Sequence, residues 1–160
     1  MSTLYTDAIQ PNLESRVAIP GHVIQVVNAD HSGITTVTSA TWTDTPITLG
    51  ITPTFASSKI AVHFTFPFIM YGAARIRGGF RLLRDSTVIA GGSDETAHLR
   101  ELGGAYEALL PSNLHYVDSP NTTSEVTYKI QIILKAGTGV QVIGQAQGRP
   151  SHMSLMEIAQ

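Results

Sequence analysis

Beyond Gly21, apolar and polar residues alternate with period two over several stretches of the chain. The clearest run is 58–68, where Ile60, Val62, Phe64, Phe66 and Phe68 fall on one side and Lys59, Ala61, His63, Thr65 and Pro67 on the other. A strand with this pattern has one face in a core and the other in water or at an interface. A second run, 125–135, sets Val126, Tyr128, Ile130, Ile132 and Leu134 against Thr127, Lys129, Gln131 and Lys135. Ile47, Leu49 and Ile51 share a face in PITLGITP, after the Thr-rich TVTSATWTDT. HVIQVVNAD opens the strand-rich body, VQVIGQAQ follows a Gly-Thr-Gly turn, and HMSLMEIAQ supplies the last strand.

Turn residues punctuate these runs. ARIRGGFRLLRDSTVIAGG predicts two strands joined around Arg84-Asp85-Ser86, with Gly78 and Gly79 marking a bulge or a close backbone approach. GSDETAHLRELGGAYEALLPSN has helical composition but is split by Gly103 and Gly104, and predicts a long crossing loop holding one helical turn. A short strand at 115–118 and a turn at Asp118-Ser119-Pro120-Asn121 follow. Eight or nine strands with turns between them predict an all-β chain, built as an antiparallel β-sandwich or barrel.

Residues 1–20 break the pattern. Pro11 and Pro20 interrupt them, and Leu4, Tyr5, Ile9, Leu13, Val17 and Ile19 are scattered too irregularly for a long helix. The segment is too apolar for a plain linker. A loose terminus is the plainer reading; we favour 1–20 as an extended N-terminal arm that packs on a neighbouring chain, and read 21–160 as the sandwich domain. Those six apolar residues are then the expected partner-binding positions.

Composition narrows the functional classes. In 160 residues, charged side chains make up only 14%, against roughly 25% in an average soluble domain. Uncharged polar strand faces suit packing against other subunits, where a buried charge is costly. A formal net charge of −2 argues against nucleic acid as a partner. The absence of cysteine excludes disulfides and thiolate metal sites. No apolar run approaches the roughly 20 residues of a membrane helix, and the N-terminus lacks the basic start and apolar centre of a signal peptide.

Catalytic chemistry is hard to find. The six histidines (His22, His31, His63, His98, His115 and His152) show no short paired spacing of a local metal motif. His63 stands out, because it lies on the polar face of the best strand and would be pH-sensitive if that face were covered. Asp94, Glu95, Arg100 and Glu101 form the densest charge cluster, and in a loop such carboxylates are usually solvated. Gly91-Gly92-Ser93-Asp94 lacks the lysine and the strand–helix context of a phosphate loop, and no GxSxG elbow occurs. Trp42 and Tyr5 are candidates for stacking on a sugar, with core packing in a strand an equally good account of Trp42. We expect no enzyme activity, no cofactor and no metal.

The strand texts IPGHVIQVV, TLGITPTFASSKIAVHFTF, FRLLRDSTVIAGG, YVDSPNTTSEVTYKIQI and SLMEIAQ, in this order over 19–160, resemble trimeric, jelly-roll-like domains of bacteriophage virion proteins. These are fibre and capsid-surface proteins of phages that infect aquatic bacteria. MSTLYTDAIQPN is similar to the opening of many phage tail-associated proteins. The resemblance implies a jelly-roll-like sandwich in a homotrimer on the virion surface, made in the host cytoplasm. It implies as partners sister subunits and other virion proteins, above all the major capsid protein, and no membrane. A capsid decoration (cement) protein that clamps the shell through its arm is the expectation, since the long shaft of a fibre protein is not seen in this text. The alternative is a tail-fibre or baseplate appendage that binds a host-surface glycan through loops around 94–106.

Overall fold

A computed structural model describes residues 19–73, 76–92, 97–99, 105–136, 140–143 and 150–160. Within them the chain forms strands β1 Val23–His31, β2 Ile34–Val37, β3 Thr43–Ile51, β4 Lys59–Ala73, β5 Ile76–Arg84, β6 Thr87–Ala90, β7 Ala97–Leu99, β8 Ala105–Asp118, β9 Val126–Ala136, β10 Val140–Ile143 and β11 Ser151–Ile158. All strand pairs are antiparallel.

Two sheets result. In the first, the long β4 pairs with β8 on one side. On the other side it pairs with β11 over its first half and with β10 over its second. β1 and β2 lie beyond β11 and β10 in turn. The second sheet runs β3-β9-β5, with β6 and β7 on successive halves of the β5 edge. Taking β1/β2, β6/β7 and β10/β11 each as one interrupted ribbon leaves eight ribbons, first paired with last, second with seventh, third with sixth and fourth with fifth. Nested pairing of this kind, split over two sheets, is the jelly roll.

The two inner faces meet as the alternation predicts. Ile60, Val62, Phe64, Phe66, Phe68 and Met70 of β4 face Val126, Tyr128, Ile130, Ile132 and Leu134 of β9, all buried in one cluster with Ile47, Ile51, Leu82, Met153 and Leu155. Phe80 stands edge-on to Phe64 and Phe66 at ring-centroid distances of 6.0 and 5.1 Å. Such pairs add about 0.5–1.5 kcal/mol beyond their buried area.

Two prolines fix the ladder. Pro67 lies opposite Pro111 across β4 and β8. Neither has an N–H, so their row must be a non-hydrogen-bonded one. The backbone nitrogen of Pro67 then faces the other side of β4. There β11 pairs as far as Thr65 and β10 begins at Phe68, so the missing donor costs no ladder bond.

Several details differ from the sequence expectations. Residues 105–111 are strand, not loop or helical turn, because β8 runs fourteen residues along β4 and pairing overrides helical composition. The expected strand at 115–118 is only its end. The turn at Asp85-Ser86 is as expected, with Asp85 at φ 54° and its backbone paired to Thr127. A register shift between Arg77 and Gly78 is the expected bulge.

Candidate functional site

The outward sides of the two sheets differ in chemistry. Across the second sheet, Asp44, Gln131 and Arg81 share one row. Gln131 accepts from Arg81 at 2.6 and 2.8 Å and donates to Asp44 at 2.6 Å, while Lys129 Nζ donates to Asp44 at 2.9 Å. The hydrogen bonds from Lys129 and Gln131 hold the Asp44 carboxyl below the usual carboxylate range. Trp42 precedes β3 rather than lying in a strand, and is half-buried outside the core. The Arg81 guanidinium lies 4.2 Å from its ring centroid, so a cation, not core packing, occupies the indole face. On this surface Asp44, Lys129, Gln131 and Arg81 satisfy one another.

The first sheet's outward side is built in rows of another kind. Its register aligns Val117, Ala61, Met156 and Val26 across β8, β4, β11 and β1. The next row reads His115, His63, Ser154 and Asn28, and the one after it Asn113, Thr65, His152 and Asp30. Val26 and Val117 are 53% and 56% exposed, and the exposed Ile34 and Tyr71 extend the surface along β2 and β4. In the three rows the ionisable groups are Asp30 and the histidines, with Asp30 paired to His152 Nδ1 at 2.7 Å; Lys59 belongs to the next outward row beyond Ala61, and Glu107 pairs with Tyr71 on the extension. An open depression of about 310 Å³ lies beside them, walled by Thr65, Pro67, Leu109, Pro111, Asn113 and Pro150.

His63 and His115 face each other directly. Their Nδ1 atoms are 2.7 Å apart and their rings stand edge to face. Desolvation, with His115 adding a smaller effect, holds His63 below the ordinary imidazole range. His63 thus has a partner 52 residues away, which local spacing could not reveal. Only the parity of β8 relative to β4 would have exposed it.

Two buried carboxylates flank Ile60, Asp118 on β8 and Glu157 on β11. Asp118 accepts from Arg84 Nη1 at 2.7 and 2.9 Å and from the Tyr128 hydroxyl at 2.7 Å, closing one end of the sandwich between sheets. Burial and the bond to Asp118 push the Tyr128 phenol far above its ordinary value. Glu157 accepts from Ser58, Gln25, the Thr54 hydroxyl and the Thr54 and Phe55 amides. Burial raises its carboxyl, yet these donors outweigh it and leave the group below the usual range. Both acids act as structural anchors, saturated by their partners.

Of the six expected partner-binding positions, Leu4, Tyr5, Ile9, Leu13 and Val17 lie outside the described residues, as do Asp94, Glu95, Arg100 and Glu101. Ile19 is half-buried, and its carbonyl accepts from the His22 amide at 3.0 Å. Gly21 and His22 bond to Ala159 through two backbone contacts of 2.9 Å, tying the entry of the domain to its last strand. Among the described residues no three His, Asp or Glu side chains gather as a metal site, and no helix is long and apolar enough to cross a membrane.

No family model matches the chain, and no curated protein matches its sequence. Its backbone is similar to VP2 of infectious bursal disease virus in T=1 particles, at 13% identity and a TM-score of 0.44, over 98% of this chain and 41% of that one. It is similar also to a chain of the T13 particle of the same virus, at 11% identity and a TM-score of 0.43, over 98% and 40%. A VP2 subviral particle gives 14% identity and a TM-score of 0.37, over 98% and 42%. This chain thus spans about two fifths of the viral chains it matches.

Proposed function

We propose that this chain is a structural protein of a virus particle that works by covering surfaces rather than by chemistry on a substrate. The observation that carries this reading is the outward side of the first sheet. Its exposed valines sit in one row with Ala61 and Met156, beside rows of polar groups whose one carboxylate, Asp30, is paired to His152, while Asp44, Lys129 and Arg81 of the other sheet are joined in one network. Aligned rows with few charges make a surface on which a second protein can be buried with little desolvation of ions.

In the finer form of the proposal, three copies associate through this surface on the outside of a bacteriophage capsid. Residues 1–20, with Leu4, Tyr5, Ile9, Leu13, Val17 and Ile19, hold the assembly to the shell. The jelly-roll topology and the resemblance of the strand text to phage virion domains support it. Three linked contacts multiply a weak single affinity into firm attachment. Immunogold labelling of purified particles with antibodies to this chain tests the reading. Label on the capsid supports a decoration protein, label on tail fibres or baseplate supports the appendage, and unlabelled particles refute a virion role.

A further inference from the structure

We infer that His63 and His115 form a two-imidazole site for a divalent transition-metal ion of the copper(II) or nickel(II) kind, with water completing its coordination. Their row lies four residues along the ladder from the Pro67–Pro111 row. It therefore has the same non-hydrogen-bonded character, the closer of the two antiparallel geometries, with Cα atoms about 4.5 Å apart. The register directs both rings to the outward side of the sheet, and the Nδ1 atoms converge to 2.7 Å.

Rings this close suit adjacent positions on one ion. An ion about 2.0–2.1 Å from each nitrogen would subtend about 80° between them, near the right angle of adjacent square-planar or octahedral positions and well short of the tetrahedral angle zinc prefers. In the metal-free protein one Nδ1 donates a proton to the other. Binding moves that proton to Nε2 through solvent and turns both lone pairs to the ion. A bound ion cross-links β4 to β8, a strand with no partner on its other side among the described residues.

The test is titration of the full chain with copper(II), nickel(II) or zinc(II) chloride in a non-coordinating buffer at pH 7.5, followed by calorimetry and copper EPR. The expected result is one equivalent bound, two nitrogen ligands in the EPR spectrum, nickel at least as tight as zinc, and a raised melting temperature. His63→Gln and His115→Gln should each weaken binding by about tenfold or more, while His152→Gln leaves it unchanged. Circular dichroism checks that the variants are folded, which their outward positions favour. Absence of binding at millimolar metal overturns the inference. So do unchanged affinity in both His63 and His115 variants, a single nitrogen in the EPR spectrum, or zinc binding tighter than nickel.

Discussion

Ser58 donates its hydroxyl to Glu157 Oε1 at 2.7 Å across 99 residues of sequence. This bond ties the loop that leads into β4 to the strand that ends the domain. With Gln25 donating from β1, three distant segments meet on one carboxylate. Glu157→Gln keeps the shape but turns a donor toward donors. It should cost about 2–4 kcal/mol, the penalty for unpairing buried polar groups, read as a lower urea midpoint. A loss well under 1 kcal/mol would show that the anchor matters little.

At the other flank of Ile60, Asp118 joins Arg84 and Tyr128. Tyr128→Phe removes one of three hydrogen bonds and should cost about 1 kcal/mol. Arg84→Ala leaves a buried carboxylate without its cation and should cost about 3 kcal/mol or more. Denaturant melts of the two variants check the order. Equal losses would mean that the charge pair adds nothing beyond an ordinary hydrogen bond.

The outward charges of the second sheet should behave differently. Arg81→Ala loses the Trp42 contact and two bonds to Gln131, all near solvent, so the cost is expected at about 1 kcal/mol or less. Self-association should not change. Loss of association in this variant would move the interaction surface to the wrong sheet.

Acid should weaken the fold in two stages. His31 is depressed by desolvation, and His63 by desolvation and then by His115, each from an ordinary value of 6.5. The unfolded chain takes those protons first, so the stability from the neutral rings is whole above pH 6.5 and shrinks as pH falls below it. Glu157 is depressed from 4.5, so its contribution holds above that pH and disappears as pH falls through the folded value. Urea midpoints should be flat from pH 8 to 7, decline below 6.5, and decline again below 4.5. A midpoint that holds or rises down to pH 5 would contradict the assignment of both histidines.

The strands with strict alternation, β4 and β9, were legible in the sequence because both bury one whole face and period two has no competing reading there. Ile60 to Phe68 and Val126 to Leu134 fill the core as expected. Residues 105–111 were not legible, since Ala-Tyr-Glu-Ala-Leu-Leu has helical propensity and only the partner strand makes it extended. Asp118 looked like a turn residue and Glu157 like ordinary strand text. Nothing local marks a carboxylate whose partners lie on other strands. The histidine pair was hidden for the same reason. Trp42 was misjudged because its neighbour in space, Arg81, arrives from β5.

The most direct test of the account is sedimentation velocity on the full chain at micromolar to tens of micromolar concentration, beside Val26→Asp and Val117→Asp combined. Both valines are over half exposed, so the double variant should fold with a near-native urea midpoint. The unaltered chain should sediment as a trimer and the double variant as a monomer. A chain that is monomeric throughout, or an oligomer indifferent to charges in this row, would contradict the claim that the first sheet's outward side joins the copies.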